Sequence, residues 1–164
     1  MRYKKKRFFL IIFLFIPSLI NASDKINIFF NKSVDSSVTS INYAKGNVAL
    51  DSLLCTYIHN AQYSIDCCIY SFNDCDWDVG DSLIEAHKRG VNVLFITDDK
   101  YMTGEVQDLL NAGITVINDD FSSVYDGHYN MHNKFFIFDY RDSSVYTDDW
   151  VWTGSYNVTY WGYC

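Results

Sequence analysis

Beyond residue 25 the chain alternates short apolar runs with amphipathic stretches, each closed by a polar or glycine-containing break. Residues 26–30 read as a first short strand, and 31–46, rich in Ser, Asn and Lys, as a loop over the site. From Asn47 the apolar residues Leu50, Leu53, Leu54, Tyr57, Ile58 and Ala61 recur at three and four, which predicts a helix capped by Asn47. Residues 64–72 are almost continuously apolar, as in a strand buried on both faces. An acidic turn at 74–81 leads into a helix to Arg89, with Gly90 as its left-handed stop. Residues 91–97 and 114–118 are further strands. Between them lies a helix over 103–112 with Val106, Leu109 and Leu110 as core face and Gly113 as its end. After a polar stretch at 119–130, residues 132–140 and 145–153 read as a hairpin with 141–144 at its tip. Strands alternating with helices predict an α/β domain, a mixed, largely parallel sheet flanked by helices, with the antiparallel hairpin added to it.

The first 22 residues stand apart from this pattern. Arg2, Lys4, Lys5, Lys6 and Arg7 precede a 13-residue apolar run at 8–20, and Asn21-Ala22 closes it with a small residue. That is the pattern of a secretory signal peptide cleaved after Ala22. It divides the chain into a leader, 1–22, and one domain, 23–164, expected to be periplasmic or secreted. The run falls short of the about 20 residues that span a bilayer, although an uncleaved N-terminal anchor stays open. Export also changes the charge. The leader holds five basic and no acidic residues, so eight basic residues face 20 acidic ones in the domain, a net charge of −12. Such a domain is ill suited to coating a polyanion but can still act through one local phosphate pocket. Five cysteines in an exported chain permit disulfides and leave one over, while Cys67 and Cys68 read as small buried hydrophobes. With no C-x-x-C pair, a structural zinc site is not expected.

Candidate chemistry gathers late in the chain, in Met131-His132-Asn133-Lys134, Asp139 and Gly154-Ser155-Tyr156-Asn157. His132 and Lys134, two apart on a strand, emerge on one face. An imidazole there can act as nucleophile or base, and a compact ammonium can balance charge on phosphoryl oxygens. Ser155 and Asn157 share a face by the same period and can donate to one phosphate, with Gly154 allowing close backbone approach. Asp139 lies an odd number of positions from both His132 and Lys134, so an ideal strand turns it to the other face, where it would fix the strand end or a neighbouring loop. No acidic cluster with ligand spacing accompanies these residues. His128 reads as an incidental loop residue, His59 and His87 as surface groups at helix ends. Trp150, Trp152, Tyr156, Tyr160, Trp161 and Tyr163 can either stack bases or pack the core.

The spacing H-x-K-x4-D followed by G-S-x-x-N resembles the catalytic signature of the phospholipase D superfamily, and 63–72 with 83–93 resembles its strand–helix–strand core. The resemblance covers residues 26–157. It implies a phospholipase D-like fold that is C-terminally short. Family members continue with a helix and a strand carrying an acidic residue that orients the catalytic histidine, whereas seven residues follow Asn157 here. It implies His132 as the nucleophile of a phosphohistidine intermediate, with Lys134 and Asp139 as the other catalytic residues. Lys134, Ser155 and Asn157 would bind phosphate, with no metal and no cofactor. The motif occurs once while family chemistry uses two histidines, which implies a homodimer. Small bacterial endonucleases and the mitochondrial Zucchini-type proteins are the members it looks most like, so DNA or RNA is the expected substrate. Phospholipid head groups are the alternative, and an inactive truncated interaction module is the alternative from another class.

Overall fold

The computed structural model describes residues 25–37, 44–73, 79–102, 104–120, 130–142 and 148–159. The expected leader, residues 74–78 of the acidic turn, His128, residues 143–147 of the hairpin, Cys75, Cys164 and the aromatic tail residues Tyr160, Trp161 and Tyr163 lie outside them. In chain order the elements are α1 (Leu50–Asn60), β1 (Ser64–Ile69), β2 (Phe72–Asn73), α2 (Val79–Lys88), β3 (Asn92–Thr97), a 3-10 turn (Asp99–Tyr101), α3 (Gly104–Asn111), β4 (Thr115–Asn118), β5 (Lys134–Phe138), β6 (Trp150–Thr153) and β7 (Val158–Thr159).

Five strands form one mixed sheet in the order β4-β3-β1-β5-β6, and β2 pairs with β7 beside it. The pairs β1–β3 and β3–β4 are parallel and joined through helices, whereas β5 and β6 are antiparallel to their neighbours. Register places Ile65 between Val93 and Phe138, and Cys67 between Phe95 and Phe136. Residues paired across strands share a face, so these six form one apolar layer. Leu54 and Ile58 of α1 and Leu83 and Ala86 of α2 belong to the same buried cluster. Phe95 and Phe136 are wholly enclosed, and truncating such a ring typically costs about 3–5 kcal/mol.

This topology decides where chemistry can sit. The carboxyl ends of β1, β3 and β4 lie at one sheet edge. Antiparallel pairing brings the start of β5 there, with Lys134 opposite Ile69, and the end of β6, with Thr153 opposite Phe135. Ligands in α/β sheets bind outside this edge, where the chain leaves the sheet in loops.

Several expected elements come out differently. Residues 26–30 do not join the sheet; their one ladder contact is a parallel bridge from Phe29 to Lys45, with Ile26 84% exposed. The run is apolar but too short to be buried on two faces. Asn47 does not cap α1. It has φ +55°, Ala49 is the residue before the helix, and no side chain caps it. The expected strand over 64–72 breaks at Tyr70 and Ser71, because Phe72 turns away to pair with Val158. On α3 Val106 and Leu109 are buried, three apart, while Leu110 is rotated one residue out of their line and exposed. His87 is less open than its helix-end position suggested, and its Nδ1 is enclosed. Gly90 and Gly113, with φ +97° and +89°, end α2 and α3 in the left-handed region.

Candidate active site

His132 leaves the sheet edge just before β5, solvent-exposed, and Lys134 is the first residue of the strand. The Lys134 ammonium lies 3.3 Å from Nδ1 and 3.2 Å from Nε2 of His132, and 3.4 Å from that residue's carbonyl oxygen. Partial burial lowers the Lys134 pKa from its ordinary 10.5, because a half-enclosed cation loses hydration. Tyr70, where β1 breaks, faces both groups. Its ring centroid is 4.5 Å from that of His132 and 5.2 Å from the ammonium. The Tyr70 backbone N–H donates to the Asn133 carbonyl (2.9 Å), tying the break to the segment that carries His132. Its phenol lies 3.4 Å from that of Tyr101, and this hydrogen bond, with burial, pushes the Tyr70 pKa up to about 12.

The sheet edge is braced from β3 as well. Asp98, fully buried, accepts from the Lys100 N–H (3.1 Å) and the Met131 N–H (3.0 Å). It fixes the residue before His132 through a charge-assisted bond. Lys100 Nζ donates to Asn130 Oδ1 at 2.8 Å, and the Asp99 N–H to Asp119 Oδ1 at 2.8 Å. Pattern reading overlooked Tyr70, Tyr101 and Asp98. The available signal was position, since polar residues directly after parallel strands face the functional edge. It also found no acidic cluster, yet the fold brings carboxylate oxygens of Asp98, Asp99 and Asp119 within 4.8 Å of one another. Both oxygens of Asp98 already accept backbone N–H groups.

Gly154 to Asn157 follow β6 at the same edge, where the Thr153 hydroxyl donates to the Lys134 carbonyl at 3.2 Å. These four residues are a bend before β7, not strand, so the period-two argument that placed Ser155 and Asn157 on one face does not apply. Ser155 is exposed. Asn157 is half-buried, and its Oδ1 is enclosed without a hydrogen-bond partner. They also line a cavity of about 630 Å³ between β6 and residues 25–31.

Asp139 lies at the far end of β5, about 16 Å from Lys134 at the usual strand rise. It is buried, has φ +59°, and its carboxylate accepts from the N–H groups of Gln62 (3.0 Å to each oxygen), Tyr63 (2.7 Å) and Ser64 (3.1 Å). That carboxylate pins the α1–β1 loop to the sheet and does not touch His132. Burial raises the Cys68 thiol, and Cys67 further, so both stay protonated at neutral pH. The site therefore offers an imidazole, an ammonium and nearby hydroxyl and amide groups on an open edge. Those groups can accept and stabilise a phosphoryl group.

Residues 54–163 match the family described as cardiolipin synthase, PLD-like domain. Mitochondrial cardiolipin hydrolases of Danio rerio and Xenopus tropicalis are 32% and 33% identical over 105 residues, 62% of this chain. The chain spans less than half of their length, 43% and 45%. Among solved structures it is similar to Nuc of Salmonella typhimurium, a phospholipase D family member, with TM-score 0.51 and 28% identity over 68% of this chain and 66% of that one. NucT of Helicobacter pylori gives TM-score 0.50 and 25% identity over 68% and 67%. With the motif at the open edge of a five-stranded mixed sheet, these matches show that the chain belongs to the phospholipase D superfamily of phosphodiesterases.

Proposed function

We propose that this protein is an exported, homodimeric endonuclease that hydrolyses DNA or RNA without a metal, through a phosphohistidine. One observation carries the reading: the Lys134 ammonium is 3.2–3.3 Å from both ring nitrogens of an exposed His132, at the edge to which Gly154–Asn157 also come. A nitrogen of His132 attacks phosphorus; the P–N bond forms as the P–O bond to the leaving group breaks. The leaving oxygen takes a proton from the imidazolium of His132 of the partner subunit, across a two-fold axis. That imidazole then removes a proton from water, whose oxygen attacks phosphorus, and the P–N bond breaks to restore the nucleophile. Lys134 balances charge on the non-bridging oxygens, to which Ser155 and Asn157 donate. Export rests on the basic and apolar pattern of residues 2–22.

The cardiolipin hydrolase relatives support a second reading, hydrolysis of a phospholipid at the same residues. Wild-type and His132→Asn proteins, each given a single-stranded oligonucleotide or cardiolipin vesicles in excess EDTA, separate the two. The nuclease reading expects His132-dependent cleavage of the oligonucleotide. Cleavage of cardiolipin alone supports the second reading, and activity lost on chelation but restored by magnesium overturns metal independence. No turnover of either substrate leaves the interaction module.

A further inference from the structure

Of the nine large hydrophobic residues left open among the described residues, four gather in one place. Ile26, Ile28 and Phe30 belong to a strap, residues 25–31, and Val151 to the neighbouring edge strand β6. They are 49–84% exposed, and all four border the cavity that reaches Ser155 and Asn157. The strap is nonetheless held in place. Phe29, between Ile28 and Phe30, stacks on Trp152 with ring centroids 6.4 Å apart and planes at 11°. Trp152 is braced in turn by Tyr57, edge-on at 5.8 Å. The Phe30 N–H donates to the Lys45 carbonyl and the Lys45 N–H to the Ile28 carbonyl, both at 2.8 Å. Single exposed hydrophobic residues need no explanation, whereas a contiguous group on a fixed backbone marks an interaction surface.

Charge tells what that surface meets. Residues 25–50 contain Lys25, Lys32 and Lys45, all exposed, and one acidic residue, Asp35. The Asp35 carboxylate is occupied locally, accepting from the Ser37 N–H at 2.9 Å and hydroxyl at 2.6 Å. This stretch is +2, which leaves −14 on the rest of a domain whose total is −12. So uneven a distribution turns the strap toward an anionic plane and the remainder away from it. A nucleic acid would gain from the lysines but not from open aliphatic chains. A second copy docked face to face would set the three lysines against their own counterparts. A bilayer uses both parts, since aliphatic side chains enter beneath the headgroups while lysines reach back to the phosphates.

We infer that the strap and the exposed side of β6 form a docking surface for an anionic lipid bilayer. The four open hydrophobic side chains enter the boundary between headgroups and acyl chains, and the three lysines meet lipid phosphates. The inference stands apart from the substrate of His132. Docking brings the edge with Ser155 and Asn157 beside the membrane whichever phosphodiester is cleaved there.

Tryptophan emission tests this in the full chain carrying His132→Asn, which removes turnover. Phe30→Trp adds a reporter on the strap, and Tyr140→Trp adds one at the far end of β5, at a similarly exposed position. The vesicles are phosphatidylcholine and phosphatidylglycerol at about 3:1, with brominated acyl chains as quencher. Emission added at position 30 should shift to the blue and be quenched, as for a segment buried about 5–10 Å into the boundary. Emission added at position 140 should do neither. Lys25→Gln with Lys32→Gln should weaken vesicle binding roughly twentyfold, at about fivefold for each lysine near the surface. Vesicles of phosphatidylcholine alone should bind at least about tenfold more weakly. Lys134→Gln should leave the quenching as it is.

Absence of quenching at position 30, or equal quenching at both positions, overturns the docking surface. Quenching at position 30 that survives neutral vesicles and the lysine changes is tethering through residues 8–20, and overturns it too. Loss of quenching with Lys134→Gln would mean a headgroup held in the candidate site rather than a docked face. Two further outcomes assign the face to another occupant. A position-30 shift that follows protein concentration without vesicles gives it to a second copy. A shift produced by a single-stranded oligonucleotide and not by vesicles gives it to nucleic acid.

Discussion

The two ends of β5 share one motif and little else. At its start His132 is exposed, and both its ring nitrogens lie beside the Lys134 ammonium. At its end Asp139 is 3% exposed, and its two oxygens accept from three consecutive backbone N–H groups. Groups that must exchange partners during turnover sit in loose contacts that a phosphate can replace. A buried carboxylate satisfied by backbone donors exchanges nothing and holds the frame. Within H-x-K-x4-D, therefore, the proposed mechanism draws its chemistry from the first two positions, while the last holds the frame.

The sharpest way to break this contrast is at His132. His132→Ala and His132→Asn are expected to lower kcat by at least about 10³-fold, since neither side chain can carry and release a phosphoryl group. Because the residue is exposed, Tm should move by less than about 2 °C. Turnover within tenfold of wild type in either variant would remove His132 from the mechanism.

Asp139 is expected to show the reverse profile. Asp139→Ala leaves the Gln62, Tyr63 and Ser64 N–H groups without their acceptor and puts a β-carbon residue with no polar side chain at φ +59°. Loss of the charge-assisted bonds from these three N–H groups, of which that of Ser64 is buried, at about 1.5–3 kcal/mol each predicts a destabilisation of at least about 3 kcal/mol. Asn keeps one acceptor and tolerates the left-handed conformation, so Asp139→Asn should lose less. Urea midpoints measured beside kcat at 10 °C check both halves. Unchanged stability with activity lost would mean that Asp139 reaches the substrate after all.

How much of this was legible beforehand differs along the chain. Helices and inner strands announced themselves because their burial is one-sided or complete, and Gly90 and Gly113 marked two stops by their need for positive φ. Residues 26–30 depart from the strand their pattern predicts because an apolar run signals burial only when something exists to cover it, and Ile26 and Ile28 remain exposed. His132, Lys134, Ser155 and Asn157 could be picked out by spacing, whereas Asp139 is separated from His132 by the length of β5 rather than by strand parity, since both residues lie outside the strand. Tyr70 and Asp98 could not be found that way. Their contacts to residues 131–134 join β1, β3 and β5, and only the sheet order makes those strand ends neighbours.

Tyr70 offers a finer cut, since it is a positioning residue that packs on His132 and Lys134 without supplying a reacting atom. Tyr70→Leu should lower kcat about tenfold with KM little changed, because a misaligned nucleophile loses near-attack geometry while phosphate contacts persist. Tyr70→Phe should stay within about twofold, the phenol being engaged with Tyr101 rather than the site. A Phe variant as impaired as Leu would make the hydroxyl, not the ring, the working part.

The smallest expected effect is on the alkaline side of the pH profile, and it tests whether the open end of β5 depends on charge. In the proposed mechanism Lys134 must be protonated to balance the phosphoryl oxygens. Partial burial disfavours the charged form, so its pKa in the folded protein lies below the ordinary 10.5 and the proton leaves earlier as pH rises. Activity should therefore begin to fall below pH 10.5. The unfolded chain holds that proton more tightly than the folded one, so over the same window folding stability from this group rises with pH, opposite in sign to the loss of activity. Lys134→Arg, whose cation does not titrate in this range, should start from a lower kcat because a planar fork fits one compact position poorly, yet remain flat to about pH 11. Measuring kcat for both proteins between about pH 8 and 11, with folding followed by circular dichroism, separates the terms. A wild-type profile as flat as the arginine variant's would show that the Lys134 charge contributes nothing to turnover.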